Sequence, residues 1–423
     1  MLRFASSPTC DMHIGNLRIA LLNYIISKQR GEDLIIRIED TDKEKNIEGK
    51  DQEILDTLGL FNIESSQTIY QSESVRFHTA MALQLIHEKK AFSCFCSDNW
   101  LDKKREEAKQ ENKEYRYDDA CRNLPAELVI DNMSPFTIRI TRPDNAIAIK
   151  DHIKGDVSFG TNDVDSFIIM NHDKRPTYDF SCAVDDMLSN ISIVIRDEKH
   201  MSNTPKQDHI RALLAYDKKI EYAHLPRILN GDTISVKSLL EEGFLPEAIS
   251  NYLISIGNKT PKEIFTLNEA QDWFLLENMS KSPTPFNIDV LRHINKEHLK
   301  LLDTKELSRY VGFADEEIGS LARIYLEEAS TTKELKAKIS QIFAPRDIPE
   351  EFSSQAQTIV NIIKKAPFFE NYTDFKNHII KESQLTEKDF SIVFRILLTN
   401  TQDGPEMGAL YNCLKNYIGE IIK

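Results

Sequence analysis

His13 and Gly15 lie in the stretch SSPTCDMHIGNLR, where a short strand over Leu2–Ala5 gives way, through Ser7-Pro8-Thr9, to a helix. There a glycine lets the backbone come close to a phosphate, the helix N-terminus favours an anion, and a histidine can donate to a phosphoryl oxygen. The plain alternative is a helix-capping loop with an incidental histidine. Arg37-Ile-Glu-Asp-Thr-Asp42 sets one base, three acids and a hydroxyl at the end of a second strand, near where open α/β sheets bind ligands. The commoner fate of such a cluster is a solvated turn with an N-cap. Arg196 ends another strand, ahead of the proline-containing helix start Ser202-Asn-Thr-Pro-Lys206. Its guanidinium suits bidentate binding of a carboxylate or, taken alone, a surface ion pair.

The elements that must position these residues follow from periodicity. Leu17, Ala20, Leu21, Tyr24 and Ile25 have helical spacing, and Leu34–Ile38 is a β-branched run suited to a buried parallel strand. Helices are predicted over 73–92 and 98–114, then short strands over 136–140, 146–149, 157–159 and 166–170. The α/β pattern resumes at Thr177–Val184, continues with a strand over Ile191–Arg196 and a helix over Lys206–Tyr216, and gives way after Val236 to amphipathic helices, among them 248–256 and 267–275. The expected fold is an α/β nucleotide-binding, Rossmann-like domain carrying an α+β insertion, followed by an all-α region. The boundaries are 1–89 and 172–235 for the two halves of the α/β domain, 90–171 for the insertion, and 236–300 and 301–423 for two helical parts.

At 423 residues, the chain is long enough for several cores. With 41% hydrophobic and 28% charged residues it reads as soluble and globular, and no apolar run approaches the ~18 residues of a membrane span. The start MLRFASSPT lacks the build of a signal peptide, so the cytoplasm is the default expectation. A net charge of −14 argues against coating nucleic acid by bulk electrostatics, though not against a locally basic groove. Six cysteines are too few for a disulfide scaffold, and only Cys94 and Cys96 form a close pair.

His13-Ile-Gly-Asn16 resembles the HIGH motif of class I aminoacyl-tRNA synthetases. The ordered set SPT..MHIGNLR, RIEDTD, YQSE, PTYDF, VDD, SNTPKQ and EEGFLPEAISNYL, through roughly the first 260 residues, resembles glutamyl-tRNA synthetase. It looks most like the second copy that certain bacteria carry, which charges tRNA-Gln with glutamate before an amidotransferase converts the product. The resemblance implies a glutamate–tRNA ligase using ATP and Mg²⁺. Its partners would be glutamate, ATP and tRNA-Gln and/or tRNA-Glu, with the amidotransferase downstream and a monomeric chain. His13, Gly15 and Asn16 would be catalytic, and Pro8, Thr9, His13 and Gly15 would bind ATP. Arg3, Ser7, Glu39, Tyr178 and Arg196 would hold glutamate, with Arg196 or Arg3 on its side-chain carboxylate. The insertion would bind the tRNA acceptor end, 236–300 would contact the stem and 301–423 the anticodon. Cys94, Cys96, Tyr117 and Cys121 resemble the zinc site of some members, where three thiolates and a phenol oxygen can complete a tetrahedral structural site. Buried cysteines without metal are the alternative.

Several positions depart from the family pattern. Ser6 stands for a proline, Cys10 for a glycine, Asp197 for a small residue and Lys199 for an acid, and Asn123 stands where relatives of the zinc site put histidine. After His224–Leu229 the lysine loop of the family (KLSKR or KMSKR) is missing, and Asn230-Gly-Asp-Thr233 runs straight into Ile234. The gap is about ten residues against the family pattern. Asn278-Met-Ser-Lys-Ser282 spells a near match, but its place after the helix over 267–275 and the following Pro283 and Pro285 suit a connection in the helical body. Two other readings therefore stand beside the ligase. One is a tRNA-binding paralogue without catalysis; the other is a small-molecule nucleotidyltransferase, against which RIEDTD and the long helical tail speak. A rough alignment also puts Glu328, ahead of STTKEL, where glutamyl enzymes that exclude tRNA-Gln carry an arginine.

Overall fold

A computed structural model describes residues 1–113, 115–231 and 233–422, with Ala126 described by its backbone alone. The strands of its first half are β1 (Leu2–Ser6), β2 (Leu34–Ile38), β3 (Gln67–Tyr70), β4 (Ala91–Cys94), β5 (Thr137–Ile140) and β6 (Ile147–Asp151). They are followed by β7 (Gly155–Phe159), β8 (Ile168–Met170), β9 (Ile193–Asp197), β10 (Glu221–Leu225), β11 (Ile228–Leu229) and β12 (Thr284–Pro285). The helices interleaved with them are α1 (Ile14–Arg30), α2 (Lys50–Leu60), α3 (Val75–His87), α4 (Asp98–Gln110), α5 (Ala126–Ile130), α6 (Tyr178–Leu188) and α7 (Thr204–Leu213).

β1, β2 and β3 pair in parallel, and every residue of β2 is buried, as a β-branched strand covered on both faces requires. β9 and β10 pair in parallel over five residues. The two half-sheets meet at β1 and β9, where the Ser192 amide donates to the Met1 carbonyl at 2.9 Å. α1 leaves β1 toward β2 on one side while β9 and β10 lie on the other, which makes the crevice at their carboxyl ends the switch point of an open α/β sheet. His13 caps α1, its Nδ1 accepting the Asn16 amide at 3.3 Å, and Gly31 closes the helix in the left-handed region at φ 62.

Three expectations shift. The strands over 147–159, read as part of the insertion, form the hairpin β6–β7, and β6 joins β10 in parallel through Tyr222↔Asp151. Only β4, β5 and β8 make the separate antiparallel sheet, packed on α3, α6 and α7 through Ile140, Ile169, Phe180 and Ile210. Short alternating runs do not say which sheet they will join, because pairing is a long-range choice. The helix expected over 73–92 is α3 alone, ended where Lys89 takes φ 59, and β4 follows at once. Third, the NMSKS stretch does not lie beyond the nucleotide domain. The described chain forms two compact units, and 265–286 belongs to the first, with 1–236 and 253–261. β12 pairs in parallel with β11, the Ser280 amide donates to Gly257 O at 2.7 Å, and Lys154 Nζ donates to Lys281 O at 2.7 Å. These contacts join residues far apart in sequence, so no local pattern announces them.

The second unit (237–252, 262–264 and 287–423) contains the long helices Ile288–Leu301, Thr332–Phe343 and Glu387–Thr399. Helices Thr304–Val311 and Glu316–Tyr325 approach backbone to backbone at Gly319, where a Cβ would overlap the Thr304 carbonyl oxygen and stand 2.5 Å from its carbon. No described helix is long and apolar enough to cross a membrane.

One buried charge cluster ties the first unit together. Asp186, on α6, accepts from Arg37 Nη1 at 2.5 Å and from Arg3 Nε at 3.2 Å, and Arg37 also reaches Glu39 at 3.1 Å. Burial opposes the Asp186 charge, but Arg3 and Arg37 overcome it and hold the carboxyl down at about 2. A carboxyl depressed in the folded state contributes stability that is full above its ordinary range and is lost as pH falls through about 2. Asp186→Asn should lower stability by about 3 kcal/mol or more at pH 7. In denaturant unfolding, its gap from wild type should narrow between about pH 4 and pH 2. Gly319→Ala should destabilise the helical unit by about 3 kcal/mol, seen as a lower urea midpoint with the first unit's transition unchanged.

Candidate functional site

A cavity of about 310 Å³ opens at the switch point. Of the residues singled out in the sequence, Arg3, Ser7, Thr9, His13, Asn16, Glu39, Tyr178 and Arg196 line it together. Pro8 and Gly15 do not. Pro8 is buried, and its carbonyl accepts the Ile47 amide at 2.9 Å, tying the loop down. Gly15 is required for another reason: a Cβ there would come within 2.9 Å of His13 Nδ1, so the missing side chain makes room for the imidazole. With Nδ1 accepting from Asn16, the neutral ring carries its proton on Nε2, the tautomer that can donate to an anion.

The charged groups of the cavity are in two states. Arg3 is bound to Asp186. Arg196 is 5% exposed and holds three uncharged partners: His224 Nε2 at 3.2 Å, Gln207 Oε1 at 2.9 Å and Thr204 Oγ1 at 2.7 Å. The first of these is oriented from behind. His224 Nδ1 lies 2.6 Å from Asp151 Oδ2, so its Nε2 faces Arg196 as an acceptor; burial and then Arg196 push its pKa down, against the opposing pull of Asp151. His200 is lowered to about 4 by burial, then by Arg196 and Lys199, so it too is neutral at pH 7. Among the described residues Arg196 thus has no ion-pair partner, and a carboxylate in the cavity would gain from low local dielectric. Glu39 supplies the opposite sign, its Oε1 held by Arg37 at 3.1 Å and by the Cys182 thiol at 3.3 Å. Asp197, which the sequence sets beside Arg196, turns to cap the Lys199 amide at 2.7 Å.

Sequence reasoning missed Arg37, Asp151, Asp186, His200 and His224 as site-building residues. RIEDTD, VDD and HLP carried three of them in plain sight, but their roles depend on partners more than a hundred residues away, or, for His224, on Asp151 across the sheet.

The cysteines do come together. The sulfurs of Cys94, Cys96 and Cys121 lie within 4.8 Å of one another, with Cys96 and Cys121 at 3.6 Å. Tyr117 OH is 3.4 Å from Cys94 Sγ and 3.5 Å from Cys96 Sγ. Sulfurs bound tetrahedrally at a zinc–sulfur distance of about 2.3 Å stand about 3.8 Å apart, so the set fits a zinc ion. Arg139 donates to Cys94 Sγ at 3.4 Å and lies over the Tyr117 ring at 3.8 Å, as a charge-balancing outer partner would. Burial disfavours the Cys94 thiolate, yet the Tyr117 hydroxyl and Arg139 draw its pKa down to about 7.

On either side of Asp232, which lies outside the described residues, the Gly231 amide donates to Ile228 O at 3.0 Å and the Ile234 amide to Gly231 O at 3.1 Å. Ile234 O then accepts the Ile14 amide and the Val236 amide donates to Met12 O, so residues 234–236 are stitched to the His13 loop. Residues 228–234 contain no lysine or arginine. Lys281 does not line the cavity; its Nζ lies beside Gly155 in the β6–β7 turn.

The family described as tRNA synthetases class I (E and Q), catalytic domain, matches residues 1–293. Glutamate–tRNA ligase 2 of Sulfurimonas denitrificans is 66% identical, and glutamate–tRNA ligase 1 of Nitratiruptor sp. is 52% identical. Each match covers all of both chains and runs over 432 aligned positions against the 423 residues here. A crystal structure of a glutamate tRNA ligase from Elizabethkingia meningosepticum, in complex with its amino acid, superposes with a TM-score of 0.85 at 24% identity over all of this chain and 98% of that one, which supports the fold. With the Rossmann-like sheet, the His13 loop at its switch point and this family match, the chain belongs to the class I tRNA synthetases of the glutamate and glutamine group.

Proposed function

We propose that this chain is a glutamate–tRNA ligase that activates glutamate with ATP and passes it to tRNA. The observation that carries the reading is Arg196, a buried guanidinium with only neutral partners, facing the same cavity as the Glu39 carboxylate. An amino acid with two carboxylates and an ammonium needs this pairing of signs. Arg196 takes the side-chain carboxylate, in preference to Arg3, which Asp186 already holds. Glu39 takes the ammonium, with Ser7 and Tyr178 on the walls. Thr9, His13 and Asn16 face ATP, while Pro8 and Gly15 shape their loop. The α-carboxylate oxygen attacks the α-phosphorus and pyrophosphate leaves. A hydroxyl of the terminal ribose then attacks the glutamyl carbonyl and AMP leaves. His13 Nε2–H stabilises charge on the phosphates. Class I synthetases use Mg²⁺ with ATP, and it supplies further neutralisation of the phosphates when bound. An adjoining cavity of about 590 Å³ shares Ser7, Thr9, Glu39 and Tyr178 with the first and is a route for the tRNA 3′ end.

Glu328 supports acceptance of tRNA-Gln alongside or in place of tRNA-Glu. Where an excluding guanidinium would stand, its carboxylate is paired with Lys338 at 2.6 Å. An amidotransferase would then act on the product. The insertion with its Cys94, Cys96, Tyr117 and Cys121 set holds structural zinc, and the chain works as a monomer in the cytoplasm. The second reading, a tRNA-binding paralogue without catalysis, is favoured by the sequence over 228–234, which carries no lysine or arginine. The family match leaves the small-molecule nucleotidyltransferase without support.

Glutamate-dependent ATP–pyrophosphate exchange, run with tRNA-Gln and tRNA-Glu in turn, separates the two remaining readings. The ligase predicts exchange with at least one tRNA and none with glutamine in place of glutamate; tRNA binding without exchange would establish the paralogue. Purified protein should contain about one zinc per chain, and Cys121→Ser should lower that content about tenfold or more by elemental analysis.

A further inference from the structure

We propose that Lys199 is the cation that binds the β- and γ-phosphates of ATP in this chain. The inference rests on the ligase reading above and identifies the group that holds its leaving pyrophosphate.

Lys199 follows the carboxyl end of β9 and lines the same cavity as Thr9, Cys10, His13 and Asn16. Its neighbouring acids are engaged elsewhere. Asp197 is occupied with the Lys199 amide. Glu198 receives Lys154 Nζ on one oxygen and the Arg227 amide, at 3.2 Å, on the other. Among the described residues no carboxylate forms an ion pair with Lys199, an exposed residue of the cavity lining. The other cations of the cavity have other duties: Arg3 is neutralised by Asp186, and Arg196 is buried at the floor among neutral partners. The His200 ring beside Lys199 stays neutral, so it neither competes for an anion nor repels the lysine.

The chemistry requires such a charge. When the carboxylate oxygen bonds to the α-phosphorus, the bond from that phosphorus to the bridging oxygen breaks, and pyrophosphate departs with the electron pair. The ammonium of Lys199 offsets the growing negative charge. No lysine or arginine lies in the sequence over 228–234, whose Ile234 carbonyl accepts the Ile14 amide beside His13.

The test uses the full chain and the variants Lys199→Ala, Lys199→Arg and Lys199→Glu, with Lys281→Ala as a control lysine outside the cavity. Two readouts are taken: tRNA-dependent ATP–pyrophosphate exchange, and equilibrium binding of ATP compared with AMP. Lys199→Ala should lower kcat/KM for ATP by about tenfold to a hundredfold. Lys199→Glu should lower it further, Lys199→Arg should recover most of the loss, and the KM for glutamate should stay within about twofold. ATP binding should weaken while AMP binding and Lys281→Ala stay unchanged. Variants within about twofold of wild type in both exchange and ATP affinity would overturn the proposal and leave the ligase reading intact. If wild type shows no exchange, the ligase reading fails, and the binding comparison alone decides Lys199: a loss for ATP but not AMP upholds it, and equal losses or none overturn it.

Discussion

Arg37 and Arg3 reach Asp186 from two adjacent strands, and none of these three charges can be left alone in the interior. A buried carboxylate between two guanidiniums is stable only while all partners stay in place; removing one leaves an uncompensated charge. The cluster therefore locks β1, β2 and α6 into one arrangement. Its remaining arm, Arg37 to Glu39, fixes the carboxylate that faces the cavity. The shape and polarity of the site are consequences of how this charge is settled below it.

Arg196 is handled in the opposite way. Its partners are a hydroxyl, an amide and a neutral imidazole, so it is oriented without being neutralised. Burial and Arg196 keep the imidazole neutral against the opposing pull of Asp151, and Asp151, which ends β6, fixes its tautomer by taking the other nitrogen. This gives a physical reason for the β6–β7 hairpin to leave the insertion and enter the main sheet: the residue that holds His224 in its acceptor tautomer must stand beside β10. The turn over 152–154 is secured as well, with His152 between Glu221 and Glu277 at 2.5 and 2.7 Å. Two carboxylates on one imidazole raise its pKa against the opposing effect of burial, and they bind the hairpin to the segment that carries Asn278–Ser282.

The near match NMSKS is instructive for the same reason. Its letters suggest a mobile cationic loop. Its environment is a following strand paired with β11, a buried Met279, a backbone bond to Gly257 and the Lys154 ammonium on the Lys281 carbonyl. A segment held by that many fixed bonds cannot close over a substrate without breaking them. The expectation that it is a connection stands, whereas the expectation of where that connection lies does not.

Local chemistry determined the α/β opening, the helical tail and the His13 loop, while the resemblance to glutamyl-tRNA synthetases pointed to most of the cavity-lining residues. Strand hydrophobicity, helix spacing and turn residues act over a few positions, so they are written in the sequence directly. Sequence also told which cysteines and which tyrosine to watch, although nothing local required that they meet. Tertiary structure decided which sheet the 147–159 strands join, that Gly15 serves the His13 ring, and that Arg3 is spent on Asp186 while Arg196 is not. These outcomes depend on partners tens to hundreds of residues apart, and on whether burial leaves a charge neutralised or merely oriented. That balance exists only once the chain is folded.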